Sequence, residues 1–134
     1  MNADDEVLEA NRAFYAAFEA RDIDAMAGVW ECSGRATVTH PGWPTLRGWE
    51  AVAESWRRIF AATNYIQFFL TEESVDVEGD VAWVTLFENI LQEVGGMPPQ
   101  PGLGDSRVAA TNVFVRRDGR WRMAVHHGSP VATR

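Results

Sequence analysis

Up to Phe60 the apolar residues recur at helical spacing, and from Tyr65 onward they alternate as in strands, so the chain reads as helices followed by a sheet. Val7, Leu8, Phe14, Tyr15 and Phe18 form one stripe and predict a helix over about 4–20, with Asp4 and Asp5 able to cap it. Asp22 suits the N-cap of a second, short helix carrying Ile23, Met26, Ala27 and Trp30. Ala36 to His40 predicts a short strand, and Pro41-Gly42-Trp43-Pro44 breaks regular structure into a loop after it. Trp49, Val52, Trp56, Ile59 and Phe60 share one side of a third helix that starts at Gly48.

Four β-rich runs follow at roughly 65–78, 81–93, 106–117 and 120–129, and their Gly-containing turns make a meander. Asp118-Gly119 is the pair favoured in a two-residue hairpin turn. The connection at 95–105, rich in Gly and Pro, predicts no regular structure and is a candidate cover for a pocket mouth. In the second run Val81, Trp83, Thr85, Phe87, Asn89 and Leu91 face one way and Ala82, Val84, Leu86, Glu88 and Ile90 the other. Both faces are largely apolar. The helices cover one, and a second copy of the chain is the economical cover for the other, which predicts a homodimer through the outer sheet face.

Composition narrows the function classes. At 134 residues with 46% hydrophobic content the chain suits one globular domain spanning 1–134, and its apolar runs are too short for a membrane span. Asp4, Asp5 and Glu6 stand where a secretory leader would be basic, so the expected location is cytoplasmic. Cys32 is the only cysteine, which excludes an intrachain disulfide and a cysteine metal cage. A net charge of −7 opposes non-specific nucleic-acid binding. All twelve basic residues are arginine, and the group Arg116, Arg117, Arg120 and Arg122 reads as a solvated hairpin tip rather than an anion site.

The order of these elements, with Glu19-Ala20-Arg21-Asp22-Ile23-Asp24 and the run from Phe114 to Met123, resembles the NTF2-like superfamily over nearly the whole chain. Trp121 to His127-Gly128-Ser129 is most similar to SnoaL-like, ketosteroid isomerase-like proteins, and also to the association domain of calmodulin-dependent kinase. The resemblance implies an α+β, cone-shaped NTF2-like (cystatin-like) fold, with three N-terminal helices packed on a strongly curved antiparallel sheet. It also implies candidate chemistry. In the steroid isomerase branch a carboxylate acts as general base just before a Pro, and here His40 precedes Pro41. A histidine titrates near neutrality and can shuttle a proton. The branch's oxyanion donors fall on Phe14, which has no donor, and on Asn112, whose amide has one.

His40 and Asn112 are therefore the catalytic candidates. Trp30, Trp43, Trp56, Phe60, Trp83 and Phe87 are candidates to line a pocket for a small apolar or carbonyl-containing molecule, and they serve equally as a solid core. Asn89 joins them because a buried amide without partners costs about 1–3 kcal/mol. His126 and His127 are adjacent on a strand and leave opposite faces, so they cannot share a metal. Parity with Trp121, Met123 and Val125 places His127 on the core face as a ligand contact, with His126 toward a partner or solvent. No metal or organic cofactor is expected. Two functions stay open: an isomerase-, cyclase- or dehydratase-type enzyme using acid–base chemistry, and a dimeric binding or association module without turnover.

Overall fold

Local side-chain chemistry sets the helix boundaries. In this computed structural model, which describes residues 1–94 and 107–132, helix α1 spans Ala3–Ala20. Its N-cap is Asn2, whose side-chain oxygen accepts from the Asp5 amide at 2.9 Å. The predicted caps Asp4 and Asp5 instead lie in the first turn, where with Glu6 they complement the helix dipole. Arg21, at φ 51°, ends the helix in the left-handed region. Asp22 caps α2 (Ile23–Val29) as expected, accepting from the Asp24 and Ala25 amides. Gly48, at φ 90°, admits the turn into α3 (Trp49–Ala62), a conformation that a side chain would strain.

The sheet contains β1 (Thr37–Thr39), β2 (Leu46–Arg47), β3 (Thr63–Glu78), β4 (Val81–Val94), β5 (Arg107–Arg117) and β6 (Arg120–Pro130), in the order β2-β1-β6-β5-β4-β3. β3 to β6 form the predicted antiparallel meander, and β1 lies parallel to β6. The two-residue β2 falls in the stretch read as loop: after the Pro-Gly-Trp-Pro break the chain doubles back and pairs Leu46 with Val38. Asp118 and Gly119 have φ of 52° and 75°, both positive as a type I′ turn requires. The 95–105 connection lies outside the described residues.

Two irregularities re-aim side chains. Along β5 and β6 the pairs Val113↔Val125 and Phe114↔Met123 leave Ala124 unopposed. Along β3 and β4 the pairs Thr71↔Phe87 and Ser74↔Thr85 set Glu72 and Glu73 against Leu86 alone, with Glu72 at φ 54°. An extra residue of this kind shifts the inward-outward alternation of the strand beyond it.

The curved sheet and the three helices enclose a core built from Phe14, Met26, Trp30, Trp56, Phe114 and Met123, all fully buried. The rings of Phe14, Phe18, Trp30 and Trp56 meet edge-on or tilted at centroid distances of 4.9–6.4 Å. The inward row of β4 is Ala82, Val84, Leu86 and Glu88, all buried, while Val81 and Trp83 on the other face are 41% and 37% exposed. Because Phe14 touches aromatic neighbours from α2 and α3, Phe14→Ala should cost about 3–5 kcal/mol. Urea denaturation reads that difference, and a loss below about 1 kcal/mol would mean the ring is not part of the close-packed core.

Candidate functional site

Four elements deliver polar side chains into this apolar interior. Asn11 and Tyr15, four residues apart, share the inward face of α1. Glu88 ends the inward row of β4, and Asn112 on β5 stands in register with Val84 on one side and His126 on the other. Asn11 and Asn112 are fully buried, and Tyr15, Glu88 and His126 are at most 3% exposed.

Their hydrogen bonds form one connected cluster. Tyr15 Oη donates to Glu88 Oε2 at 2.5 Å. Asn112 Nδ2 donates to Asn11 Oδ1 at 2.8 Å and to Tyr15 Oη at 3.2 Å. The Asn112 carbonyl oxygen lies 2.5 Å from His126 Nδ1, and since a carbonyl can only accept, the His126 proton sits on Nδ1. His126 Nε2 then carries a lone pair, 4.0 Å from Glu88 Oε2. Asn11 Nδ2 reaches out to Glu73 Oε2 at 3.2 Å.

Burial sets the electrostatics. It pushes the Glu88 carboxyl up to about 7, against the opposing effect of the Tyr15 hydrogen bond. It lowers His126 to about 3, with repulsion from His40 and His127 adding to the effect. Tyr15 is raised well above its ordinary value by burial and by the neighbouring Glu88. Near neutral pH the interior thus holds a carboxyl that retains a proton close to an imidazole nitrogen that carries none.

His40 occupies a separate niche. Its ring lies 4.9 Å from Trp43 and 4.6 Å from Trp56, and Nε2 is 2.9 Å from Ser55 Oγ. Ser55 donates its hydroxyl proton to the Val52 carbonyl at 2.6 Å, so His40 donates Nε2–H to Ser55. Burial lowers His40 to about 4, which keeps it neutral. Trp56 touches both imidazoles, with His126 at 6.1 Å, and Phe14 closes on His126 at 4.8 Å.

The remaining predicted residues divide between core and surface. Trp30 and Trp56 are buried in the ring packing, and Phe60 is half-buried against Trp56. Trp43 is half-buried at a cleft of about 500 Å³ along α3 that Ser55 and Arg58 also line. Trp83, Phe87, Asn89 and His127 were expected at an inner pocket and instead occupy the outer sheet face. Asn89 bonds the Phe69 carbonyl and Thr71 there, and Phe87 lies under the Arg107 guanidinium at 4.0 Å. Phe87 and His127 line an outer cleft of about 420 Å³. The β6 bulge exchanges the two histidines, so that His126 is buried and His127 exposed, the reverse of simple alternation. The donor position on α1 is likewise corrected: Phe14 packs on His126, and the neighbouring Tyr15 supplies the hydroxyl.

Asn11, Tyr15, Glu88 and His126 were not among the predicted site residues. Glu88 had a readable signal, as the one charge in an otherwise apolar inward row, and Asn11 interrupts the apolar stripe of α1. Of the hairpin arginines, Arg116 pairs with Asp80 and Arg117 with Glu31, as a structural tip would. Among the described residues no three His, Cys, Asp or Glu side chains gather in a metal-binding group, and no helix is long and apolar enough to cross a membrane.

Comparison with known proteins places this geometry in context. The chain is 41% identical to a proposed dehydratase of the NTF2-like family from Streptomyces avermitilis, with 97% of this chain and 96% of that one aligned at a TM-score of 0.86. It is 34% identical to a proposed calcium/calmodulin-dependent protein kinase type II association domain from Thiobacillus denitrificans, over 92% and 93% of the two chains at a TM-score of 0.75. It is also 28% identical over 123 residues to the F-box protein SKIP8 of Arabidopsis thaliana, covering 92% of this chain and spanning 48% of that protein.

The Glu88 shift yields a signed prediction. The fold holds a proton on Glu88 up to about pH 7 that the unfolded chain releases near 4.5, so this contribution to stability is lost as pH rises through that window. His40 and His126, lowered to about 4 and about 3 from 6.5, act oppositely and lose stability as pH falls below 6.5. Relative to Glu88→Gln, in which the histidine contributions largely cancel, the wild-type protein should lose about 1.4 kcal/mol per pH unit across the Glu88 window and nothing further above it. Urea denaturation at about pH 5, 6, 7 and 8 measures the difference. A pH-independent difference would mean Glu88 titrates as a solvated carboxyl.

The SnoaL-like domain family matches residues 7–133, and with that match, the helix-and-sheet cone and its full-length NTF2-like neighbour, the chain belongs to the SnoaL-like domain family of the NTF2-like fold.

Proposed function

We propose that the chain catalyses proton transfer on a small carbonyl-containing molecule, the chemistry of dehydration or isomerisation, with Glu88 and His126 as acid and base. The observation that carries this reading is their juxtaposition: a buried carboxyl protonated up to about pH 7 stands 4.0 Å from an unprotonated imidazole nitrogen. In a dehydration, His126 Nε2 takes the proton beside the carbonyl, and Glu88 gives its proton to the departing hydroxyl, which leaves as water. Asn112 holds the His126 ring and Tyr15 holds the carboxyl, so both groups meet the substrate preoriented. His40, whose ring also meets Trp56, is a second neutral base and retains the proton-shuttle role suggested by its place before Pro41. Substrate reaches the cluster by displacing rings, and the half-buried Phe18 and Phe60 pack beside Trp56. The likeness to a proposed dehydratase supports this assignment.

A panel of small β-hydroxy ketones followed by proton NMR in heavy water tests it, through loss of water or deuterium uptake beside the carbonyl. Glu88→Gln and His126→Asn should each slow the reaction by about 10²-fold or more. Full activity in either variant would rule out the assigned roles.

A second reading concerns assembly, and a specific observation favours it. Phe69, Val81 and Trp83 are 53%, 41% and 37% exposed on the outer face of β3 and β4, and Tyr65 adds a further ring at 39%. We infer that a second copy of the chain covers this face, and the likeness to an association domain supports it. Native mass spectrometry should show a dimer that Trp83→Arg converts to monomer, because a charge at the centre of an apolar interface is left desolvated. A wild-type monomer would overturn this reading and leave the catalytic one standing.

A further inference from the structure

We propose that Glu73, on the protein surface, fixes through Asn11 which nitrogen of the buried His126 carries the proton, making Glu73 and Asn11 positioning residues for the interior site. The functional meaning rests on the proton-transfer reading above, whereas the relay itself follows from hydrogen-bond polarity alone.

The relay has three steps, and each one leaves a single choice. A carboxylate oxygen accepts and cannot donate, so Glu73 Oε2 selects the NH2 end of the Asn11 amide, 3.2 Å away. Asn11 must then turn its carbonyl oxygen inward, where it meets Asn112 Nδ2 at 2.8 Å. If the Asn112 amide flipped, two carbonyl oxygens would face each other at that separation. Asn112 therefore presents its oxygen to His126, and the imidazole must carry its proton on Nδ1 to meet it at 2.5 Å. The lone pair is thereby committed to Nε2, on the Glu88 side of the ring.

Tyr15 sets this polarity less firmly. Its proton goes to Glu88, which leaves its oxygen to accept from Asn112 at 3.2 Å, but a protonated Glu88 can donate instead and free the Tyr15 hydroxyl to meet either orientation of Asn112. Asn11 tolerates one only, because its far end is held by a group without a proton. Asn11 is fully buried and has no solvent to turn toward. Glu73 comes within reach because of the β3 irregularity: Glu72 goes to Arg107, while Glu73 reaches α1. The neighbouring His40 has its own anchor at Ser55, which fixes Nε2–H independently of this chain.

Long-range nitrogen–proton correlations of the imidazole rings in labelled full-length protein distinguish the two tautomers directly. With three histidines in the sequence, the His126 ring is assignable by difference against His126→Asn. The wild-type protein should show His126 in the Nδ1–H form alone and His40 in the Nε2–H form. Glu73→Lys replaces an acceptor with a donor and releases Asn11, so a second His126 tautomer should appear while the His40 pattern stays unchanged. Glu72→Lys, at the adjacent exposed residue, should leave His126 in one form. Adding Asn11→Asp to Glu73→Lys supplies an inward acceptor that no longer needs a surface carboxylate, and the single Nδ1–H form should return.

A His126 spectrum unchanged by Glu73→Lys would overturn the proposal, as would a Glu72→Lys variant equally mixed or a double variant that fails to restore the pattern. The spectra are read without substrate. Full turnover in Glu88→Gln or His126→Asn, with the tautomer response intact, would therefore sink the catalytic reading and leave the relay established.

Discussion

The polar cluster inside the cone is held at both ends by residues that a strand irregularity has re-aimed. In β6 the unopposed Ala124 puts Met123 and Ala124 both on the buried side, after which the alternation resumes in the opposite phase and His126 turns inward. In β3 the paired residues Glu72 and Glu73 stand against one partner residue, and Glu73 comes within reach of Asn11. Without the first, the inward ring of β6 would be His127, out of register with Asn112. Without the second, Asn11 would have no fixed partner outside the core. The backbone thus sets the chemistry of the cluster by choosing which side chains enter it.

That dependence explains which features were legible in the sequence. Helical stripes and the Asp-Gly turn are local signals, and α1, α2, α3 and the four long strands fall within a few residues of the stretches that carry them. The two rows of β4 were also readable, because its strand has no irregularity and alternation holds from Val81 to Glu88, but which row meets the helices was not. A bulge leaves no such local mark. Nothing in Trp121 to Ser129 announces that Ala124 is unopposed, and the histidine assignment therefore inverted. The helix error is of the same kind on a smaller scale. Phe14 and Tyr15 both lie on the buried stripe, and only the crossing of α1 over β4 and β5 decides which one meets Asn112.

The inner site was partly visible. Asn112 was singled out for its amide donor, and that amide makes three hydrogen bonds, to Asn11, Tyr15 and His126. Glu88 was grouped with Ala82, Val84, Leu86 and Ile90 on one face of β4 without being weighed as a site residue. A carboxyl at the end of the row Ala82, Val84 and Leu86 is costly unless something compensates it, and the Tyr15 hydroxyl does so. His40 was singled out by its place before Pro41, and the structure hydrogen-bonds it to Ser55 rather than to the cluster that contains Asn112.

The aromatic richness of the chain takes on a different meaning in this setting. Phe14, Trp30, Trp56 and Phe18 pack against one another at the heart of the cone, and Phe14 and Trp56 lie directly on the His126 ring. Their effect on the chemistry is to remove water from around it. Desolvation is the largest cause of the shifts at Glu88, His126, His40 and Tyr15, and in each case it favours the uncharged form. In water at neutral pH the carboxyl would be ionised and the imidazole would titrate close by, near 6.5. Within this ring of aromatics both stay neutral, the acid keeping its proton and the base its lone pair, which is the state from which each can act on a bound molecule. The same packing that stabilises the fold thus keeps both groups uncharged, and a substitution that admitted water beside Phe14 or Trp56 would move both back toward their ordinary values and leave Glu88 ionised at neutral pH.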